Sequence, residues 1–357
     1  MKKIRNGLLL LLGLVFMTSC TGKENLEAHK KTFYGTFDTK ILYLSYTESE
    51  DRFDEEFDFV EEEFNKLHKL YDRYNAYEGV NNLKTINDMA GKEAVKVDDD
   101  LFDVIKFSLD NFDKTDGKVN IAMGSVLRLW HDVRSQNEGV EEKDMILPKE
   151  EELLEAAKHM DIKKVVLDEK EKTVYLEDEK MSLDLGAVAK GYAAELVAQR
   201  LEEKGVKHAS INAGGNVRTI GNPGDGRKNW GIAIEHPLMG EADDFLDVLF
   251  IGQTSVVTSG DYQRYFTKDG IKYHHIVDPV SLRPEIIYSS VSIVTKDSGL
   301  ADYLSTALFL SSKEEAEKIL ENYKEEDVEV LWYSHEEGES STPGLEKHMR
   351  SKGATSK

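Results

Sequence analysis

Short strand-like runs that never fall into a regular alternation with helices constrain this chain more than any other feature. They lie at 209–212, 230–234, 248–251, 273–277 and 291–295, and glycine-rich connections separate most of them. Parallel strands need a long crossover between each pair, usually a helix. Without a β-α-β rhythm the pattern reads as α+β, with a mixed, mainly antiparallel sheet and helices packed against it.

Helices show in the period of the apolar residues. Phe53, Phe57, Val60, Phe64, Leu67 and Tyr71 recur every three or four positions, with acids on the opposite face, which predicts an amphipathic helix. Leu101, Ile105 and Leu109 predict a second over 100–114, and others are expected at about 187–204, 300–310 and 313–323. Residues 32–46 alternate apolar and polar and read as a strand or hairpin; 165–167 and 173–176, split by a charged turn, read as a hairpin. A last strand is expected at 328–332, an exposed polar loop at 133–148, and a flexible tail over 337–357.

The first twenty residues are a different kind of segment. Lys2, Lys3 and Arg5 precede an apolar run, 8–16, that is too short to span a bilayer comfortably, and Met17-Thr18-Ser19 then leads to Cys20. This resembles a bacterial lipoprotein signal over 1–19, in which the cysteine is acylated. Cys20 is the only cysteine, so it has no intrachain disulfide partner. The expectation is a lipid anchor at Cys20, a polar tether over 20–31, one domain over 32–336, and residence on the outer face of the cytoplasmic membrane. The formal net charge of −22 repels phosphate backbones and argues against nucleic-acid binding. An anionic substrate would need a metal or a local cluster of donors to dock.

Four stretches carry candidate chemistry. Asp184-Leu185-Gly186-Ala187 runs into a helix holding Lys190. Free N–H groups at a helix start attract phosphate, although a plain cap with a solvated lysine uses the same residues. Asn212-Ala213-Gly214-Gly215 permits positive φ and close backbone approach to a ligand, as a tight turn also does. His274 and His275, adjacent on an expected strand, should point to opposite faces, so one can face a cleft as a general base while the other faces core or solvent. Asp302 and Thr306 are four apart on one helical face and offer oxygen ligands only, which suits a hard cation such as Mg²⁺. A helix-start acid and a back-bonded threonine would look the same.

In their order and spacing these stretches resemble the ApbE family, the FAD:protein FMN transferases. The likeness runs from Tyr34-Gly35-Thr36 to Trp332 and includes 77–87 and Asn120-Ile121-Ala122-Met123-Gly124. It implies that Tyr77 stacks on the isoalloxazine ring and that Tyr34 stands where the family usually has methionine. Lys118, Val119 and Asn120 would line the nucleotide site, with Val119-Asn120 where Phe-Asp is frequent; Asp184 and Lys190 would hold FAD and Ile276 would border it. Asp302, Thr306 and the carbonyl of Ala187 would bind Mg²⁺, and His275 would be the base, near the ordinary histidine pKa of about 6.5. The implied reaction transfers FMN from FAD to a threonine of acceptor flavoproteins with a Ser/Thr-Gly-Ala-Thr-like motif, releasing AMP. Hydrolysis of FAD to FMN and AMP, or FAD binding without catalysis, are the alternatives. Thr355, in Ser351-Lys352-Gly353-Ala354-Thr355, loosely resembles the acceptor motif.

Overall fold

The computed structural model describes residues 26–238, 244–334 and 336–357; Cys20 and the lipoprotein-signal segment lie outside them. The chain begins with the hairpin β1 (Glu27–Thr36) and β2 (Thr39–Thr47), then α1 (Glu50–Tyr71), α2 (Leu83–Asp88), β3 (Val95–Lys96), α3 (Asp99–Phe112) and α4 (Gly124–Gln136). Next come α5 (Glu150–Ala157), β4 (Val165–Asp168), β5 (Thr173–Leu176), α6 (Ala189–Glu203), β6 (Ala209–Ala213), β7 (Asn216–Ile220), β8 (Trp230–Glu235) and β9 (Phe245–Ile251). The remainder is β10 (Ser255–Gly260), β11 (Tyr265–Lys268), β12 (Ile271–His274), β13 (Ser290–Thr295), α7 (Ser298–Phe309), α8 (Lys313–Glu321), β14 (Glu329–Ser334) and β15 (Gly338–Ser341). Among the described residues no helix is long and apolar enough to cross a membrane.

Eight strands form the main sheet in the order β1-β2-β6-β7-β10-β13-β14-β15, and every neighbouring pair is antiparallel. The two-residue period of the strands divides the core. Val291 and Ile293 of β13, with Val330 and Trp332 of β14, pack under α7 and α8. Val294 and Leu331 point the other way, against the β8–β9 ribbon. Helix α1 buries its expected stripe, from Phe53 to Tyr71, and its start is capped by Ser49, whose side chain accepts the Arg52 N–H.

Helix α6 lies directly on α7 where Gly191 leaves no side chain between them. A Cβ added at Gly191 would sit 2.3 Å from the Ser298 carbonyl oxygen and 2.4 Å from Asp302 Cβ. Only hydrogen fits there, and the two backbones meet.

Three expectations are corrected. The segment at 133–148 is not all loop: α4 runs through Gln136, and Asn137 closes the loop beyond it by bonding both the N–H and the carbonyl of Ile146, at 3.0 Å each. The apolar period of α4 is diluted by Arg128, His131 and Arg134, which hid the helix. The polar tether ends earlier than expected, since β1 already pairs at Glu27 with Thr47. The tail is not flexible. Its β15 extends the main sheet, and Leu345 and Met349 are fully buried with Leu249, Val256 and Leu331, covering the apolar face that the sheet turns away from α7. Two apolar residues in a polar run gave too weak a period to read. Thr355 belongs to this docked tail: its carbonyl accepts from the Asn229 side chain at 3.4 Å.

Leu345→Ala should therefore lower the unfolding free energy by about 2–4 kcal/mol, the usual cost of truncating a fully buried leucine. Urea titration measures it, and an unchanged midpoint would mean that the tail does not dock.

Candidate active site

The elements above converge on one cleft of about 470 Å³. One wall is the start of α6 and the middle of α7, giving Ala187, Lys190, Asp302 and Thr306. Facing it are the loop after α1, the stretch 118–134, and the end of β10 with the segments flanking the β11–β12 hairpin. The β1–β2 turn closes one end with Phe37 and Asp38, both at positive φ (52° and 50°). This is the primed hairpin geometry, strained for residues with a Cβ.

The glycines that stood out in the sequence are where backbone must come close. Gly214 and Gly215 have φ of 62° and 96° and turn β6 into β7; at Gly214 a Cβ would meet Thr39 Oγ1 at 2.2 Å. Gly186 donates its N–H to Asp184 Oδ1 at 2.7 Å, which bends the chain into α6. Asp184 also pairs with Arg73, and Arg73 donates to the Gly124 carbonyl at 3.0 Å, so one ion pair ties the ends of α1 and α4 to the entry of α6.

Cations and carboxylates both line the cleft, but not all of the cations are paired. Lys190, Arg134 and Arg264 all line it, and none has an ion-pair partner among the described residues. Burial and the neighbouring Arg264 pull the Arg134 pKa below the usual range. Such a group of unneutralised cations is favourable only when an anion arrives between them.

On the α7 wall, Asp302 is buried and its Oδ2 accepts the Gly191 N–H at 2.7 Å. The Ser305 hydroxyl donates to the Asp302 carbonyl at 2.8 Å and bonds Ser259 Oγ at 2.7 Å, which locks α7 to β10. The carboxylate has a second oxygen, Thr306 offers a hydroxyl one turn on, and Ala187 brings a backbone carbonyl to the same cleft. Among the described residues no group of three or more His, Cys, Asp or Glu could hold an ion. The set is a sparse, all-oxygen one, and it fits a hard cation that completes its shell with water and phosphate oxygens.

The sequence matches the ApbE family over residues 36–332. The chain belongs to the ApbE family. It is 33% identical to an FAD:protein FMN transferase of Klebsiella pneumoniae, covering 68% of this chain and 74% of that one. It is 32% identical to an FAD:protein FMN transferase of Treponema pallidum, covering 75% of each. The crystal structure of the ApbE protein from Thermotoga maritima superposes with a TM-score of 0.76 at 27% identity, over 90% of this chain and 99% of that one.

Most residues expected from the ApbE resemblance share the cleft: Lys118, Val119, Asn120, Asp184, Ala187, Lys190, His275, Ile276, Asp302 and Thr306. Their availability differs. The Asn120 amide donates to the Met160 carbonyl at 2.9 Å and its oxygen accepts the Ala122 N–H at 2.8 Å, so it shapes the loop. Lys118 Nζ lies 3.2 Å from Glu315 Oε1 and is already neutralised. Val119 contributes wall, with its carbonyl accepting from the Tyr303 hydroxyl at 3.2 Å.

Two expected residues are misplaced. Tyr34 is 71% exposed on the edge strand, because the bulge at Gly35 (φ 96°) turns it outward and sends Phe37 into the cleft instead. Tyr77 does not line the cleft; it borders a neighbouring groove with Lys69 and Lys96. Phe37, Tyr71, Tyr74 and Trp130 all line the cleft, and the most exposed of them is Tyr74, at 54%, with His131 at 5.3 Å and the Arg73 guanidinium at 5.4 Å. Sequence reading missed Tyr74 and Arg134. Arg264 was likewise given no role.

The two histidines separate as expected, although β12 stops at His274. His274 is buried: its Nδ1 accepts the Ile276 N–H at 3.2 Å and its Nε2 donates to the Glu285 carbonyl. His275 faces the cleft, with Nδ1 turned inward and without a partner among the described residues. Burial, then the charges of Lys190, Arg264, His274 and Arg134, push its pKa down to about 3, not near the ordinary value. It is neutral at physiological pH and can accept a proton, but only weakly until an anion offsets those cations.

The depressed value has a stability consequence. Unfolded, His275 titrates near 6.5; folded, near 3. Its contribution is complete above about pH 6.5 and declines as pH falls toward 3, by at most about 1.4 kcal/mol per pH unit. His274, also lowered by burial, acts in the same direction. His275→Asn should therefore flatten the fall of melting temperature between pH 6.5 and 4; a slope identical to wild type would show that His275 titrates normally in the fold.

Proposed function

We propose that this protein is an FAD:protein FMN transferase, moving FMN from FAD to a threonine hydroxyl of an acceptor flavoprotein and releasing AMP. One observation carries the reading: the cleft joins three unpaired cations to an all-oxygen donor set, beside a neutral histidine. A pyrophosphate needs the first two and an attacking hydroxyl needs the third. The names of the ApbE-family relatives support the same activity.

The chain's own residues divide the work. Tyr74 offers its ring face to the flat flavin. Lys190, Arg134 and Arg264 hold the phosphates and neutralise charge as it shifts to the leaving group. Asp302, Thr306 and the Ala187 carbonyl would hold Mg²⁺, which when bound supplies Lewis-acid stabilisation of the phosphoryl oxygens. The acceptor's threonine oxygen forms a bond to the phosphorus on the FMN side while the bond from that phosphorus to the bridging oxygen breaks and the oxygen leaves on AMP. His275 takes the hydroxyl proton, and the phosphates held beside Lys190 and Arg264 raise its basicity by offsetting their charge. Water in place of threonine would give FMN and AMP from the same geometry. Attachment through a lipid on Cys20, facing outward from the cytoplasmic membrane, is part of this proposal and is supported by the residues before that cysteine.

AMP release and acceptor mass, measured with and without Mg²⁺, test the reading. Asp302→Ala should abolish both, because a cation held by so few protein groups cannot lose its only carboxylate. His275→Asn should leave FAD affinity near wild type and slow transfer by roughly 10²–10⁴-fold, the usual share of a positioned base. Wild-type turnover in Asp302→Ala at low Mg²⁺, or full transfer in His275→Asn, would contradict the respective assignment.

A further inference from the structure

Tyr77 stands outside the cleft, yet it ends a set of hydrogen bonds that reaches into it. Asp72 terminates α1 in an extended conformation and is buried. Its Oδ1 accepts the backbone N–H groups of Tyr74, at 2.6 Å, and Asn75, at 3.1 Å. Its Oδ2 accepts the Tyr77 hydroxyl, at 2.7 Å, and the Asn75 side-chain amide, at 2.9 Å. Loop 72–77 is thus wound around one carboxylate with four donors. The far end is pinned as well: the Val80 N–H donates to the Tyr77 carbonyl at 3.1 Å, and the Lys84 N–H to the Asp72 carbonyl at 3.0 Å.

Tyr74 is the one aromatic side chain that this loop turns into the cleft, beside Asp72 and Arg73. More than half exposed, with Arg73 and His131 beside its ring, it depends on its backbone for orientation. That backbone is held through its N–H, and the N–H is held by Asp72.

We propose that Tyr77 is a positioning residue for flavin binding: its hydroxyl fixes the Asp72 carboxylate, Asp72 fixes the backbone of Tyr74, and Tyr74 presents its ring to the isoalloxazine. The inference rests on reading the cleft as a flavin-nucleotide site. Two further facts agree with it. Burial and the bond to Asp72 push the Tyr77 pKa up to about 12, so the phenol is a donor throughout the physiological range. Although burial opposes ionisation of Asp72, bonds from Asn75 and Tyr77 and from the two backbone N–H groups keep its carboxyl below the usual range, so the acceptor stays charged. Removing one of four donors should loosen the loop without unfolding it, since phenylalanine keeps the ring and its volume.

A double-mutant cycle on FAD affinity separates this role from a general structural one. FAD binding is followed by flavin fluorescence quenching in wild type, Tyr77→Phe, Tyr74→Ala and the double variant. Tyr77→Phe should weaken FAD binding about five-fold when Tyr74 is present and less than about two-fold when it is absent, because its effect passes through Tyr74. At saturating FAD its turnover should stay near wild type while KM rises. Equal loss in both backgrounds, or no loss with Tyr74 present, overturns the positioning role while leaving the flavin reading intact. A wild type that does not bind FAD overturns both.

Discussion

Where α6 crosses α7 there is room for a hydrogen atom and nothing more. Gly191 lies against the Ser298 carbonyl and Asp302 Cβ, and its N–H donates to the Asp302 carboxylate at 2.7 Å. That contact fixes three things together. It sets the spacing of two core helices, it aims the Asp302 carboxylate, and it places Ala187 and Lys190, just before and inside the start of α6, next to Thr306 on α7. The Ser305–Ser259 bond then carries the same register into β10, which leads to Gln263, Arg264 and the hairpin bordering His275. A site drawn from segments more than two hundred residues apart depends on this joint.

Around it the chain keeps its charges apart. A net charge of −22 covers the exterior, while Lys190, Arg134 and Arg264 are unpaired inside the cleft. Arg264 lowers the Arg134 pKa, and Lys190, Arg264 and Arg134 together with burial depress His275. In the proposed reaction an incoming pyrophosphate offsets those charges and raises the basicity of the histidine in the same event. On that proposal the strength of the base is tied to the presence of the substrate.

Some of this was legible in the sequence. The period of α1, the absence of β-α-β alternation, the Gly214-Gly215 turn and the i, i+4 pair Asp302/Thr306 each have a local signature, and each is found where that signature puts it. Opposite faces for His274 and His275 followed from strand geometry alone. What failed has a common cause: it depended on contacts between distant segments. Tyr34 and Tyr77 were implied by the family resemblance alone, but a glycine bulge turns one outward and a hydrogen bond to Asp72 ties the other behind the loop. The tail reads as polar because only the opposite sheet face, with Val256, Val294 and Leu331, gives Leu345 and Met349 somewhere to go. The low pKa of His275 comes first from burial, then from Lys190 and Arg264, with smaller parts from its neighbour His274 and from Arg134, so most of it depends on segments distant in sequence.

The most direct test of the account is the Mg²⁺ dependence of AMP release from FAD in Gly191→Ala, compared with wild type. The added methyl must push Asp302 or the α7 backbone away by a large part of an ångström, since it would otherwise lie 2.4 Å from Asp302 Cβ. The account predicts a folded protein whose half-activating Mg²⁺ concentration rises at least about ten-fold, as misplacing a ligand of a sparse oxygen site should cause. An unchanged Mg²⁺ titration in a folded Gly191→Ala protein would contradict it, and would mean that the joint between α6 and α7 does not set the metal-binding carboxylate.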